Sequence, residues 1–175
     1  DVTHGSWVYA RVTILTEAEL ETKRHTGSGY WLEEYPEVYL DGGIGIGIAT
    51  KPGLSCPVGH YAINPVPRKM ILSAVDAERD RLGFRGYLGI QIAIPSGVEL
   101  AKKTFNPKLG IQGGISVLGT TGIVKPMSEE ALLATIRLDI HMKTVANENV
   151  LLMAPGNYGE TFLREAMGIP VGEAV

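Results

Sequence analysis

Apolar and polar residues alternate along several segments of the chain, and this period-two pattern predicts β-strands. Residues 7–15 (WVYARVTIL) alternate and are rich in β-branched and aromatic side chains. Residues 38–50 (VYLDGGIGIGIAT) predict a strand, a glycine turn and a further strand. Residues 87–94 and residues 110–118 predict two more. We therefore expect a mixed or antiparallel sheet.

Two segments interrupt these strands. Residues 16–36 are charged and contain glycines, and we interpret residues 25–31 (HTGSGYW) within them as an exposed hairpin tip or loop. Residues 51–67 contain four prolines. Because proline fixes the backbone and disfavours helix in the residue before it, this second segment predicts a mostly extended loop.

Apolar residues spaced three or four apart predict helices elsewhere. Residues 67–82 present one apolar face, and Pro67 suits the first turn of such a helix. Residues 97–104 predict a short helix. Residues 128–147 predict a long helix that Ser128 caps. The long helix carries two apolar stripes, which indicates that it is covered on two sides.

The last part of the chain has the pattern of a different fold. Residues 150–154 (VLLMA) are apolar without alternation, as in a parallel strand that is covered on both faces. A glycine turn and a helix over residues 157–167 follow. We therefore predict an α+β fold over residues 1–147, followed by the start of a truncated Rossmann-like α/β domain over residues 148–175.

Composition and charge exclude several classes of function. Of the 175 residues, 45% are apolar and 20% are charged, and the net charge of −3 is too small for long-range attraction to a nucleic acid or a membrane. The single cysteine, Cys56, cannot form an internal disulfide, and with the scattered histidines it makes no metal site. No signal peptide is visible, although the first residue is Asp1 rather than Met. We expect a cytoplasmic protein.

Two clusters of charged residues are candidates for chemistry. Asp1 and His4 lie three residues apart, so the carboxylate can orient the imidazole as a general base, or both can belong to a turn. The start of the predicted helix carries Arg68 and Lys69 next to Asn64, where positive charge opposes the helix dipole. Helix N–H groups and two cations suit an anion; alternatively both side chains simply extend into water.

Glycine-rich segments form the other candidates. Gly43, Gly45 and Gly47 alternate and leave one face of a strand without side chains, so a flat group or another backbone is expected against it. Two loops have N–H and hydroxyl groups that suit a carboxylate, ribose or phosphate: Gly119, Thr120, Thr121 and Gly122, and the turn at Gly156 and Asn157. Neither loop is a P-loop or a dinucleotide fingerprint, and ordinary turns or helix caps explain both equally well.

The longer segments together resemble one family. Residues 1–5 (DVTHG), 50–71 (TKPGLSCPVGHYAINPVPRKMI), 101–132 (AKKTFNPKLGIQGGISVLGTTGIVKPMSEEAL) and 154–160 (APGNYGE) follow the order and wording of the CbiD family. These proteins are the cobalt-precorrin-5B C(1)-methyltransferases of anaerobic cobalamin biosynthesis. The resemblance extends over nearly the whole chain.

The resemblance implies transfer of a methyl group from S-adenosylmethionine to C-1 of a cobalt corrinoid, giving cobalt-precorrin-6A. Cobalt is then part of the substrate, and the protein needs no metal of its own. The resemblance also implies a longer native protein. It leaves the oligomeric state open, and a homo-oligomer is compatible with it.

The residue roles are our inference from the flat, carboxylate-rich substrate. We expect its plane on the bare face of Gly43 and Gly45 and its carboxylates near Lys51, Asn64, Arg68 and Lys69. The loops at Gly119–Gly122 and Gly156–Asn157 are predicted to hold S-adenosylmethionine, and Asp1 and His4 to move a proton. Two alternatives are a non-catalytic corrinoid-binding chaperone and a small-molecule kinase, which the absence of a lysine after the glycine loops disfavours.

Overall fold

The computed structural model describes residues 2–119, 129–147, 150–154 and 156–169. The chain divides into two compact units, residues 1–128 and residues 129–175. The first unit contains the following elements in order: β1 (Tyr9–Leu15), α1 (Glu17–Thr26), β2 (Tyr30–Leu32), β3 (Tyr35–Gly42), β4 (Gly45–Ile46), β5 (Ile48–Ala49), α2 (Pro65–Arg81), β6 (Tyr87–Ala93), α3 (Gly97–Ala101), β7 (Ile111–Gln112) and β8 (Gly114–Ile115). The second unit contains α4 (Glu129–Val145) and α5 (Gly156–Glu165).

A four-stranded mixed sheet is the framework of the first unit. Its strand order is β1-β6-β3-β2. β6 pairs antiparallel with β1 and parallel with β3, and β3 pairs antiparallel with β2. The predicted α+β class with a mixed sheet is therefore confirmed.

The core lies on one face of this sheet, under helix α2. Along β6 the buried residues alternate, because successive side chains of a strand point to opposite faces. Leu72 of α2 is fully buried against them and Val38 and Leu40 lie beside it on β3. Each such aliphatic side chain contributes about 1.5–3 kcal/mol through the removal of apolar surface from water. The pairing of α2 with this sheet therefore supplies much of the stability of the first unit.

β1 is an edge strand that the core helix does not cover. Helix α2 packs on β2 and β3. Val12 and Ile14 on β1 are paired with Ile90 and Leu88 of β6, yet they remain 60% and 69% exposed. The strand predicted over residues 7–15 is confirmed, with its first residues outside the ladder.

The loop predicted at residues 25–31 is confirmed only over residues 27–29, because α1 ends at Thr26 and β2 begins at Tyr30. Helix α1 itself was not predicted. Thr16 and Glu19 form a capping box, in which the Thr16 hydroxyl accepts from the Glu19 N–H at 3.2 Å and the Glu19 carboxylate accepts from the Thr16 N–H at 2.7 Å. Only Leu20 of this helix is buried. The sequence of α1 therefore has no apolar stripe from which a helix could be predicted. Its capping box at Thr16 and Glu19 was the available signal.

The glycine-rich strands are shorter than predicted. The segment after the β3 turn divides into β4 and β5, and residues 110–118 divide into β7 and β8. β4 pairs parallel with β8, and β5 pairs antiparallel with β7. Gly113, at φ +81°, separates β7 from β8 because this left-handed conformation does not continue a strand.

The helices predicted over residues 67–82, 97–104, 128–147 and 157–167 are confirmed as α2, α3, α4 and α5, with ends that differ by a few residues. The buried strand predicted over residues 150–154 is wrong, because these residues form no strand and Val150 and Met153 are well exposed. A strand forms backbone hydrogen bonds only with a neighbouring strand, and the described residues of the second unit contain only the helices α4 and α5. The Ser128 cap lies outside the described residues.

The division after residue 128 places α4 in the second unit, whereas the sequence analysis placed it with the first domain. Two domains over residues 1–147 and 148–175 stay a prediction. Within the described ranges, none of the helices has the length and apolar character needed to cross a membrane.

Candidate functional site

An open groove of about 310 Å³ lies in the first unit, where β1 begins and β6 ends. The segment before and within β1 contributes His4, Trp7 and Tyr9 to its lining, and the segment after β6 contributes Pro95, Ser96 and Leu100. Pairing of Tyr9 with Ala93 brings these two segments together. The groove therefore depends on the register of the β1–β6 ladder.

Backbone contacts hold both walls of the groove. In the N-terminal segment, Gly5 adopts φ +78° and the Ser6 N–H donates to the Thr3 carbonyl at 3.1 Å, which closes a turn beside His4. On the other side, the Gly97 N–H donates to the Ile94 carbonyl at 2.7 Å. The turn gives His4 its place in the groove, while its side chain stays exposed.

His4 is thus one predicted catalytic residue that the structure places in a concave site. An exposed imidazole in a groove can exchange protons with a bound molecule and with solvent. Asp1 lies outside the described residues. The Asp1–His4 pair therefore stays a prediction.

The glycines of the predicted bare face are covered by other parts of the chain. A Cβ at Gly45 would overlap the Ile94 carbonyl oxygen, and one at Gly43 would stand 3.1 Å from the Cβ of Ala93. The corresponding space at Gly47 is filled by Ile111 and Gly114. Of the two expectations for this face, the second is confirmed: other parts of the same chain approach closely where side chains are absent. Contact of Gly43 and Gly45 with a substrate stays a prediction.

Arg68 uses two of its three nitrogen atoms within the chain. Its Nε donates to the Ile63 carbonyl at 2.7 Å, and its Nη2 donates to the Ser55 carbonyl at 3.1 Å. The guanidinium carbon lies 3.7 Å from the centre of the Tyr30 ring. Arg68 therefore ties the proline-rich loop of residues 51–67 to the sheet, which offsets a positive charge in the first turn of α2.

The other predicted substrate ligands also have partners within the chain. Lys69 pairs with Glu34 at 3.1 Å, and the hydrogen bond and charge of that carboxylate raise the pKa of Lys69. Lys51 Nζ donates to the Lys108 carbonyl at 3.3 Å. The Asn64 side-chain oxygen lies 3.5 Å from the Cys56 Sγ. None of these predicted ligands lines the groove, and their contact with a substrate stays a prediction.

Tyr30 and Tyr39 are buried tyrosines of the sheet, and Tyr61 in the proline-rich loop is half-buried. The Tyr30 hydroxyl donates to the Tyr61 carbonyl at 2.6 Å, and the Tyr39 hydroxyl accepts from the Gly29 N–H at 2.8 Å. Burial raises the pKa of Tyr30, and the neighbouring Cys56 raises it further. Burial also raises the pKa of Tyr39 and of Tyr61. None of these three tyrosines lines the groove.

The two predicted cofactor loops are only partly described. Gly119 is exposed at the end of the first described range, while Thr120, Thr121 and Gly122 lie outside the described residues. Gly156 begins α5, and the side chain of Asn157 is outside the description. Their role in cofactor binding stays a prediction. In the described parts of the chain, no three His, Cys, Asp or Glu residues gather in the manner of a metal site.

The sequence analysis missed Trp7 and Tyr9 as site residues. Both line the groove beside His4, and they are 77% and 54% exposed. The signal in the sequence was two large aromatic residues close together where the predicted strand begins.

Comparison with known proteins gives one family. The family model described as CbiD matches residues 1–126. A cobalt-precorrin-5B C(1)-methyltransferase from Ruminiclostridium cellulolyticum is 42% identical over 175 residues, which is 100% of this chain and 41% of that relative. Relatives with the same name from Listeria monocytogenes serotype 4a and Clostridium botulinum are 41% identical over 175 residues and 44% identical over 168 residues. Each match covers 41% of the relative. The Listeria match covers 100% of this chain and the Clostridium match covers 94% of it.

A solved structure has a similar fold. The crystal structure of the cobalamin biosynthesis protein CbiD from Archaeoglobus fulgidus matches with a TM-score of 0.51 and 24% identity. The match covers 96% of this chain and 46% of that chain. At this identity the likeness shows the fold alone. The chain spans about two fifths of the length of the curated relatives that it matches.

Proposed function

The chain belongs to the CbiD family, and from that premise we propose that the full-length protein methylates C-1 of cobalt-precorrin-5B with S-adenosylmethionine. The product would be cobalt-precorrin-6A, in the anaerobic route to cobalamin. The observation that carries this proposal is the 42% identity to a relative of that name over all 175 residues. The proposal describes a cytoplasmic enzyme whose substrate brings its own cobalt.

The chemistry requires a methyl donor, a carbon nucleophile and an acceptor for one proton. C-1 of the macrocycle attacks the methyl carbon, the bond from carbon to the sulfonium sulfur breaks, and its electron pair stays on sulfur to give S-adenosylhomocysteine. The methylated macrocycle then loses or redistributes a proton. Since the sulfonium supplies a reactive methyl group, the main task of the protein is to align donor and acceptor and to exclude water.

His4 is our candidate for the proton acceptor. It lies in the groove beside two exposed rings, so an imidazole is available at the edge of a bound flat molecule. Asp1, three residues away, would orient it. We place S-adenosylmethionine at the loops Gly119–Gly122 and Gly156–Asn157, the second of which would belong to the Rossmann-like domain of the full-length protein.

The test is a methyl-transfer assay with the full-length protein. Labelled S-adenosylmethionine and cobalt-precorrin-5B should give S-adenosylhomocysteine and a corrinoid that carries the label at C-1, detected by mass and by NMR. Binding of the corrinoid without formation of S-adenosylhomocysteine would instead identify a non-catalytic chaperone and overturn the proposal.

His4→Ala should slow turnover about 100-fold, since a positioned acid or base contributes about 10²–10⁴ in rate. Binding of S-adenosylmethionine should not change, which calorimetry would show. His25→Ala is the matched control, because His25 is an exposed imidazole on α1 outside the groove. Equal turnover of His4→Ala and His25→Ala would remove His4 from the mechanism.

A further inference from the structure

Trp7, just before β1, and Tyr9, the first residue of β1, present two large aromatic rings to solvent. Trp7 and Tyr9 are 77% and 54% exposed, and both line the groove. Rings of this size dominate the energetics of cores and interfaces, so two of them exposed side by side indicate a binding surface. Tyr9 is paired with Ala93, whose methyl group is too short to cover the phenol ring.

A cation lies next to Tyr9 on the same strand. Arg11 follows Tyr9 by two positions in β1, so both side chains lie on one face of the sheet, about 7 Å apart along the strand. Arg11 is exposed, and with the described residues it makes no hydrogen bond, ion pair or ring contact. By contrast, Arg68, Arg79 and Lys69 all have partners in the chain. Arg11 is therefore available to an anion.

Two rings followed by a cation match a flat molecule that carries carboxylates. An aromatic face stacks on a planar conjugated system, and a guanidinium pairs with a carboxylate through two N–H groups. Because other parts of the chain approach Gly43 and Gly45 closely, these glycines offer no open surface for the flat face of the proposed substrate. The groove is an alternative binding surface. The net charge of −3 gives no general attraction for an acid, so recognition has to come from a local group such as Arg11.

We propose that Trp7, Tyr9 and Arg11 form the docking surface for the corrin plane of the substrate. The rings lie against the plane, Arg11 pairs with a peripheral carboxylate, and His4 is left at the edge of the bound macrocycle. This inference rests on the proposed function and adds to it the residues that determine specificity. It also predicts that affinity depends on free carboxylates at the periphery of the ligand.

The test measures binding of two stable cobalt corrinoids to the full-length protein. Cobyrinic acid has free peripheral carboxylates, whereas in cobinamide they are amides. Trp7→Leu should weaken binding of both corrinoids about 10-fold, since stacking on one aromatic side chain contributes a factor of this order. Arg11→Gln should weaken binding of cobyrinic acid about 5-fold and leave cobinamide unchanged.

Two variants serve as matched controls. Val8→Ala removes an exposed apolar side chain between Trp7 and Tyr9, and Arg81→Gln removes an exposed charge at the end of α2. Both should bind the two corrinoids as the wild type does. Thermal unfolding of all four variants shows whether each is folded, so a loss of affinity can be assigned to the removed side chain.

Three outcomes would overturn the docking surface: Trp7→Leu binding both corrinoids like the wild type, Arg11→Gln weakening both equally, or a wild-type dimer that Trp7→Leu dissociates. The last outcome would identify β1 as an interface between copies of the chain. Failure of the proposed function has a different signature, because the wild type would then bind cobyrinic acid through Trp7 but form no methylated product.

Discussion

Single residues in this chain have partners that their sequence context did not indicate. Arg68 was predicted as a substrate ligand because a cation in the first turn of a helix is unfavourable. In the structure, the carbonyls of Ile63 and Ser55 and the ring of Tyr30 compensate that charge. A cation at this position is unfavourable for the helix alone, and the contacts within the chain explain why it is tolerated. The three partners lie 5, 13 and 38 positions away, and only the fold brings them to Arg68.

The buried tyrosines predict a loss of stability at alkaline pH. Burial, and next Cys56, raise the pKa of Tyr30 above its ordinary value of 10.0. The unfolded chain therefore releases the phenolic proton first, so the stabilisation present below pH 10 is lost as the pH rises through 10 and towards the raised pKa. In that window one such group lowers the free energy of unfolding by about 1.4 kcal/mol per pH unit.

Urea unfolding between pH 8 and pH 11.5 measures this effect. Tyr30→Phe should be about 1 kcal/mol less stable at pH 8, because it loses the 2.6 Å hydrogen bond to the Tyr61 carbonyl. Its stability should then fall less steeply above pH 10 than that of the wild type. Parallel pH profiles for the two proteins would show that Tyr30 does not carry the alkaline sensitivity.

At the scale of elements, the periodicity of apolar residues predicted the regular helices and strands. The structure of the glycine-rich segments depends instead on close packing against distant parts of the chain. β1, β6, α2 and α4 follow from their apolar periodicity. The sequence could also indicate that Gly43 and Gly45 needed space, but not whether a ligand or the chain itself would occupy it. A Cβ at Gly43 would meet Ala93 and Gln91, and one at Gly45 would meet Ile94 and Gly97, all about 50 residues further along the chain. Such long-range contacts have no signature in a local pattern.

The packing of Gly45 can be separated from its backbone conformation. Gly45 and Gly59 have nearly the same φ, +83° and +85°, but a Cβ at Gly45 would overlap the Ile94 carbonyl, whereas at Gly59 nothing lies within 4 Å. Gly59→Ala should therefore cost only about 1–2 kcal/mol for the left-handed backbone. Gly45→Ala should cost roughly 1–3 kcal/mol more, because the backbone of the Ile94 turn has to shift.

Chemical denaturation of the two glycine variants tests this difference. If Gly45→Ala is too unstable to purify while Gly59→Ala is folded, the direction of the prediction is met. Equal free energies of unfolding would show that the close approach of Gly45 to Ile94 does not constrain the fold.

The chain consists of two units that differ in how many apolar side chains they bury. Every residue of the main hydrophobic cluster, from Tyr30 to Ile115, lies in the first unit. Among the described residues of the second unit, Met142 alone is buried, and the apolar side chains of Leu132 and Phe162 are exposed. A segment as short as residues 129–175 has too little area to bury on its own. Within its described residues, the second unit therefore buries little of its own apolar surface.

A fragment of residues 1–128 should fold alone, since it retains the mixed sheet, α2 and the groove. We expect a single cooperative urea transition and a near-ultraviolet circular dichroism spectrum with fixed aromatic signals, whereas residues 129–175 alone should show neither. The fragment should bind cobyrinic acid within a few-fold of the full-length protein, because Trp7, Tyr9 and Arg11 are all present. It should transfer no methyl group, because one of the two proposed cofactor loops, at Gly156–Asn157, is missing. A folded fragment that fails to bind cobyrinic acid would move the substrate site out of the first unit, and a fragment that methylates would move the whole cofactor site into it.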